Sequence, residues 1–91
     1  MNEARCPLVV IEWEDSRQPS PGWGYLSGFE PGSVVRCTSV GWLIHDGDDL
    51  KALAPNLGDL DADVQASGII QIPSRCVIGV ARLKEPRLTS S

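Results

Sequence analysis

Between Ser67 and Leu83 the chain reads SGIIQIPSRCVIGVARL, and this stretch limits the choice of fold more than any other. Ile69, Ile70 and Ile72 form one apolar run and Val77, Ile78 and Val80 a second, with Pro73-Ser74-Arg75 between them. Pro73 lacks a backbone donor and fixes its own φ, which argues against one uninterrupted central strand. The spacing predicts two buried strands pivoting on about one 3₁₀-like turn. A second strand that bends sharply away after so short a turn is a device for closing a small barrel.

The segments upstream suit the same architecture. From Leu8, LVVIEWEDS alternates, with Val9, Ile11 and Trp13 on one face and Glu12 and Glu14 on the other, which predicts a strand ending at Asp15-Ser16. Arg17 to Ser33 holds Pro19, Pro21, Gly22, Gly24, Gly28, Pro31 and Gly32, a density that forbids a regular helix and predicts a long turn-rich excursion. Trp23, Tyr25, Leu26 and Phe29 lie inside it, so it is expected to fold back over the core or to form a contact surface.

Val34 to His45 is rich in β-branched residues and predicts a long strand, bent or bulged at Gly41. Asp46-Gly47 is a hairpin signal, and Leu50 to Ala54 returns as the partner strand until Pro55. Asn56 to Ala66 reads as an acidic loop; a helix over Leu50, Leu53, Leu57 and Leu60 is opposed by Pro55 and Gly58. The expected organisation is a loose terminus over 1–7, one all-β domain over 8–83 and a frayed tail over 84–91.

Composition narrows the function classes. Twelve acidic residues against eight basic ones leave a net charge of −4, the wrong sign for general nucleic-acid binding. Cys6, Cys37 and Cys76 are odd in number and lack a Cys-x-x-Cys pair, and the short apolar run Leu8 to Ile11 cannot serve as a signal h-region or membrane span. A reducing, cytosolic setting is expected. So is a homo-oligomer, because a core of this size is marginal and small barrels gain stability by pairing edge strands.

SVGWLIHDGDDLKAL, followed after a loop by IIQIPSRCVIGVARL, resembles the Sm-like family, whose fold is close to that of SH3 barrels. In that family a bent, glycine-containing strand runs through an Asp-bearing turn into a third strand, and a fourth strand, short turn and fifth strand close the barrel. The resemblance covers about residues 34 to 83 and implies an all-β, five-stranded, strongly bent, partly open barrel, here with a long loop after the first strand. This chain has no Asn where Sm proteins read a uridine base, and it lacks their Arg-Gly signature. Uridine readout therefore does not carry over. The Trp-x-Asp-Ser after the first strand and the SVGWLIHDGDD hairpin also look like small proteins of tailed bacteriophages and prophages, which implies action in a host cytoplasm.

No catalytic constellation is expected. His45 beside Asp46 could be a base and its orienter, but one histidine at a strand end reads more simply as structure. Asp59-x-Asp61-x-Asp63 has the opening spacing of a calcium loop, yet Val64 and Ile70 stand where its glycine and bidentate glutamate belong. Cys37, Cys76 and His45 lack paired ligand spacing and the free thiols read as small buried hydrophobes, so neither metal nor cofactor is expected. Trp13 and Trp42 are assigned to the core. The candidate ligand-binding residues are Asp15, Ser16 and Arg17 at the end of the first strand, Trp23 and Tyr25 in the loop, and Arg75 at the closing turn. The leading expectation is a binding protein acting through contacts with itself and with a host or phage protein. The alternative is a binder of RNA or small nucleotides, including host signalling nucleotides, in clefts between subunits; a hydrolase ranks last.

Overall fold

The computed structural model describes residues 6–89. Seven strands follow one another: β1 (Leu8–Asp15), β2 (Val35–Asp46), β3 (Leu50–Ala54), β4 (Asn56–Gly58), β5 (Gln65–Ser67), β6 (Ile70–Pro73) and β7 (Val77–Arg82). Two single 3₁₀ turns, Leu26–Gly28 and Ser74–Cys76, complete the regular structure. Five strands form one antiparallel sheet in the order β6-β3-β2-β1-β7, and β4 with β5 makes a separate two-stranded hairpin.

The alternation in β1 is realised. Val9 and Ile11 are buried, Trp13 is half-buried on the same face, and Glu12 and Glu14 are exposed. Trp13 donates from Nε1 to Ser39 Oγ at 3.0 Å, a diagonal cross-strand bond that satisfies the indole. The long strand β2 serves two partners in turn. It pairs with β1 from Val35 to Trp42 and with β3 from Trp42 to Asp46. Gly41 sits at this handover, where a Cβ would lie 2.9 Å from the Ala54 carbonyl oxygen. The bend predicted at Gly41 is thus a close approach of backbones, while the bulge itself falls at Ile44, between Leu43 and His45.

The two strands predicted around Pro73 occupy opposite edges of the sheet, joined only by Ser74–Cys76. Four residues of chain span at most about 14 Å. A flat sheet would hold these edges about 19 Å apart. The sheet therefore curls. Ser74 fixes the curl by donating its backbone N–H to Asp49 O at 3.0 Å and its hydroxyl to Gly47 O at 2.7 Å, which ties the turn to the β2–β3 hairpin. The sheet nevertheless stays open, since no ladder joins β6 to β7.

Five expectations need correction. Asn56 to Ala66 contains the β4–β5 hairpin; three-residue strands of mixed polarity carry too little alternation to be read as strands. Trp42 does not share the core face with Trp13, because even-numbered residues of β2 point away from the face that carries Cys37, Ser39 and Gly41. β7 is an edge strand rather than a buried one, leaving Ile78 and Val80 about half exposed. Ile69, read as part of the first buried run, precedes β6 and is about half exposed. Of the two roles expected for the loop from Arg17 to Ser33, folding back over the core is not the one taken, as every residue from Glu14 to Val34 is exposed.

The core is small. Among the described residues, only Ile11, Leu53 and Ile72 are large side chains with essentially no exposure, joined by Val9, Ala52 and Ala54 and flanked by Trp13, Leu43, Ile70, Cys76 and Val77. The radius of gyration is 18.0 Å, whereas a compact chain of this length has about 12 Å. Its surface of 7614 Å² exceeds the about 5,200 Å² of a compact monomer of this mass by roughly 2,400 Å².

Candidate functional site

One element exposed along its whole length is the arm between β1 and β2. Its base is closed by Arg17, which donates from Nε to the Ser33 carbonyl at 2.6 Å and from Nη2 to Ser33 Oγ at 3.3 Å. Gly32 lies beneath this clamp, where a Cβ would stand 3.1 Å from Arg17 Nε and the arginine side chain would have to shift slightly. Asp15 turns the chain out of β1 by accepting the Ser16 N–H at 2.8 Å. Asp15, Ser16 and Arg17, singled out from the sequence, are thus neighbours that build the base of the arm.

Beyond the clamp, proline and glycine keep the arm extended except for the turn at Leu26–Gly28, closed by Gly28 N–H to Tyr25 O at 3.1 Å. Its large side chains meet almost nothing: Trp23 is 104% exposed, Leu26 92%, Tyr25 90% and Phe29 71%. They border a shallow, open depression running from Ser20 to Phe29. Arg75 lies in the turn Ser74–Cys76, which packs against β1 and leads into Val77, the partner of Trp13. It therefore stands at the same end of the sheet as the arm's base, but outside the depression that holds Trp23 and Tyr25.

Sequence reading missed a second site, at the other end of the β1–β2 ladder. Trp42, opposite Leu8, forms a cleft of about 390 Å³ with Cys6, Leu57, Leu60, Pro86 and Leu88, with Glu85 as its acidic member. It is assembled from the outer face of β2, the β4–β5 hairpin and the C-terminal segment, three elements distant in sequence. The even-numbered position of Trp42 was the available signal.

The remaining candidates are occupied by structure. Asp46 pairs with Lys51, its cross-strand partner, instead of orienting His45. The His45 ring lies over Gly47, where a Cβ would come within 2.7 Å of Nε2. Cys76 packs against the core from the closing turn, and Cys37 stands opposite Trp13 on β2, with its thiol 3.9 Å from the Val35 carbonyl. Among the described residues no three His, Cys, Asp or Glu side chains converge in a way that could hold a metal ion. No helix of the described residues is long and apolar enough to cross a membrane. Compared with protein families, with curated proteins and with solved structures, the chain shows no significant match to any of them.

Proposed function

We propose that this chain is a non-enzymatic, homo-oligomeric binding protein of the Sm-like or SH3-like barrel type, phage-encoded and acting in the host cytoplasm through protein contacts. The observation that carries the reading is the arm, which presents Trp23, Tyr25, Leu26 and Phe29 to solvent on a clamped base. Three aromatic side chains at these exposures offer on the order of 500 Å² of surface. With Leu26 added, that approaches the roughly 800 Å² that one partner contributes to a standard interface. A monomer gains nothing by exposing such a surface, which costs solubility.

The barrel type is supported by strand order. In β6-β3-β2-β1-β7 the last two strands flank the sheet and are joined by one 3₁₀ turn, the arrangement expected from the resemblance of SVGWLIHDGDDLKAL and IIQIPSRCVIGVARL. The pairing of Asp46 with Lys51, which takes it away from His45, favours binding over hydrolysis.

Light scattering coupled to size exclusion tests the reading: an oligomer is expected at micromolar concentration, and a strict monomer overturns it. A second reading, a binder of RNA or small nucleotides, is supported by Arg75 standing at the arm's end of the sheet. Thermal-shift titration with short RNAs and with cyclic and ADP-ribose-type nucleotides separates the two, because protein partners alone leave every titration flat.

A further inference from the structure

We infer that the arm of one copy inserts its Trp23–Phe29 segment into the apolar cleft around Trp42 of a neighbouring copy, so that subunits join head to tail. The inference rests on the homo-oligomer reading and specifies how that oligomer is built. Three observations carry it.

The two surfaces are matched in kind. The arm exposes three aromatics and a leucine, and the cleft of about 390 Å³ is walled by Trp42, Leu57, Leu60, Pro86 and Leu88. That volume is within the range, about 300–1,000 Å³, in which proteins accept an anchoring group. Leu88 is 86% exposed, so one wall of the cleft is as unsatisfied as the arm itself.

The two surfaces also sit at opposite ends of one strand pair. The arm leaves at Asp15 and returns at Val35, whereas the cleft adjoins Leu8 and Trp42. Eight ladder residues separate them by about 24 Å. The arm between Arg17 and Ser33 reaches roughly 25 Å when doubled back, so filling its own cleft would require the whole arm to lie flat along the sheet. The structure shows the opposite: the arm is exposed throughout.

Finally, the surfaces differ from one another, so a single arm-to-cleft contact is heterologous; a reciprocal exchange of arms would instead close a two-fold dimer and stop there. A heterologous contact leaves one arm and one cleft free at the ends of any open assembly, and repetition either closes a ring or runs on as a filament. Two such contacts, one through the arm and one through the cleft, would cover about 1,600 Å² of the roughly 2,400 Å² of surplus surface per chain.

Complementation tests the inference. Trp23→Ala removes the anchor from the arm, and Leu88→Asp places a charge in the cleft wall. Both residues are exposed, so both variants should melt as the wild-type subunit does in its dissociated form. Each is expected to weaken self-association about 30-fold, as loss of an anchoring tryptophan does. Mixing the two should restore 1:1 dimers, because one retains its cleft and the other its arm. Equal weakening without rescue in the mixture overturns the inference, and so does weakening by Trp23→Ala alone, which indicates a symmetric arm-to-arm contact. A wild-type oligomer that neither variant disturbs also overturns it while leaving the homo-oligomer reading intact. A wild-type monomer at 100-fold above micromolar concentration overturns both.

Discussion

Replacing Gly41 by alanine tests the account of how β2 passes from one partner to the other. The added Cβ would stand 2.9 Å from Ala54 O, 3.2 Å from its carbonyl carbon and 3.4 Å from its nitrogen. All three are backbone atoms, and Ala54 is itself fully buried at the end of β3. No side chain can rotate away; β3 must shift relative to β2. Overpacking of this kind costs about 1–3 kcal/mol, against which the smaller unfolded-state entropy of alanine returns about 0.5–1 kcal/mol. The net loss of about 1–2 kcal/mol corresponds to a fall in Tm of about 5–15 °C for a domain of this size. Gly79 on β7 is the control, since nothing lies within 4 Å of its Cβ position. Calorimetric melts of both variants at one fixed protein concentration decide the matter, the concentration being held because the Tm of a self-associating protein depends on it. If Gly41→Ala melts within about 2 °C of the wild type, or no lower than Gly79→Ala, the close-approach account is wrong.

The remaining predictions concern the supports of the curled sheet. Leu53→Ala empties the centre of the core and should cost about 2–5 kcal/mol in denaturant titration; a smaller loss would mean that the sheet collapses around the gap. Trp13→Phe keeps the packing but removes the bond to Ser39 Oγ, and a loss of about 1 kcal/mol is expected, with Ser39→Ala in the same background adding little if the two groups serve each other. Ser74→Ala strips the hydroxyl from Gly47 O in a half-buried turn, which should cost about 1 kcal/mol and speed amide exchange in the hairpin over residues 47–50; unchanged exchange there would detach the turn from the hairpin.

Much of this fold is legible in the chain because it is written in local pattern. The two-residue alternation of Val9, Ile11 and Trp13 sets the buried face of β1. Asp46-Gly47 marks the hairpin, and Pro73 stops β6 one residue before the closing turn. What escapes is whatever depends on contacts distant in sequence. Ile78 and Val80 carry the same apolar signal as Ile72, yet Ile72 lies at 0% exposure and they do not, because only the strand order reveals that β7 has one neighbour and a bulge at Ile78. Trp42 escapes for a related reason: parity puts it on the outer face, and only the arrival of Leu57, Pro86 and Leu88 turns that face into a cleft. The arm is the intermediate case. Its prolines and glycines announce an irregular segment, and its aromatics announce a contact, but local pattern cannot say whether that contact is with its own core.

Sheet edges offer a rival route to assembly, and the structure weighs against it. β6 is four residues long and ends in Pro73, which has no donor to offer a new strand. β7 is longer, but the bulge between its pairings with Glu12 and Trp13 interrupts the row of backbone groups a partner strand would need, and Arg82 ends it. Both are devices that discourage edge pairing. The arm has no such protection: between Arg17 and Ser33 its only charged side chain is Glu30, and its large apolar groups fall within the seven residues from Trp23 to Phe29. Where only three large side chains among the described residues are completely buried, leaving four on an anchored arm is the costlier arrangement unless another surface covers them. Association through the arm, with the blunted edges left to water, is the arrangement consistent with both.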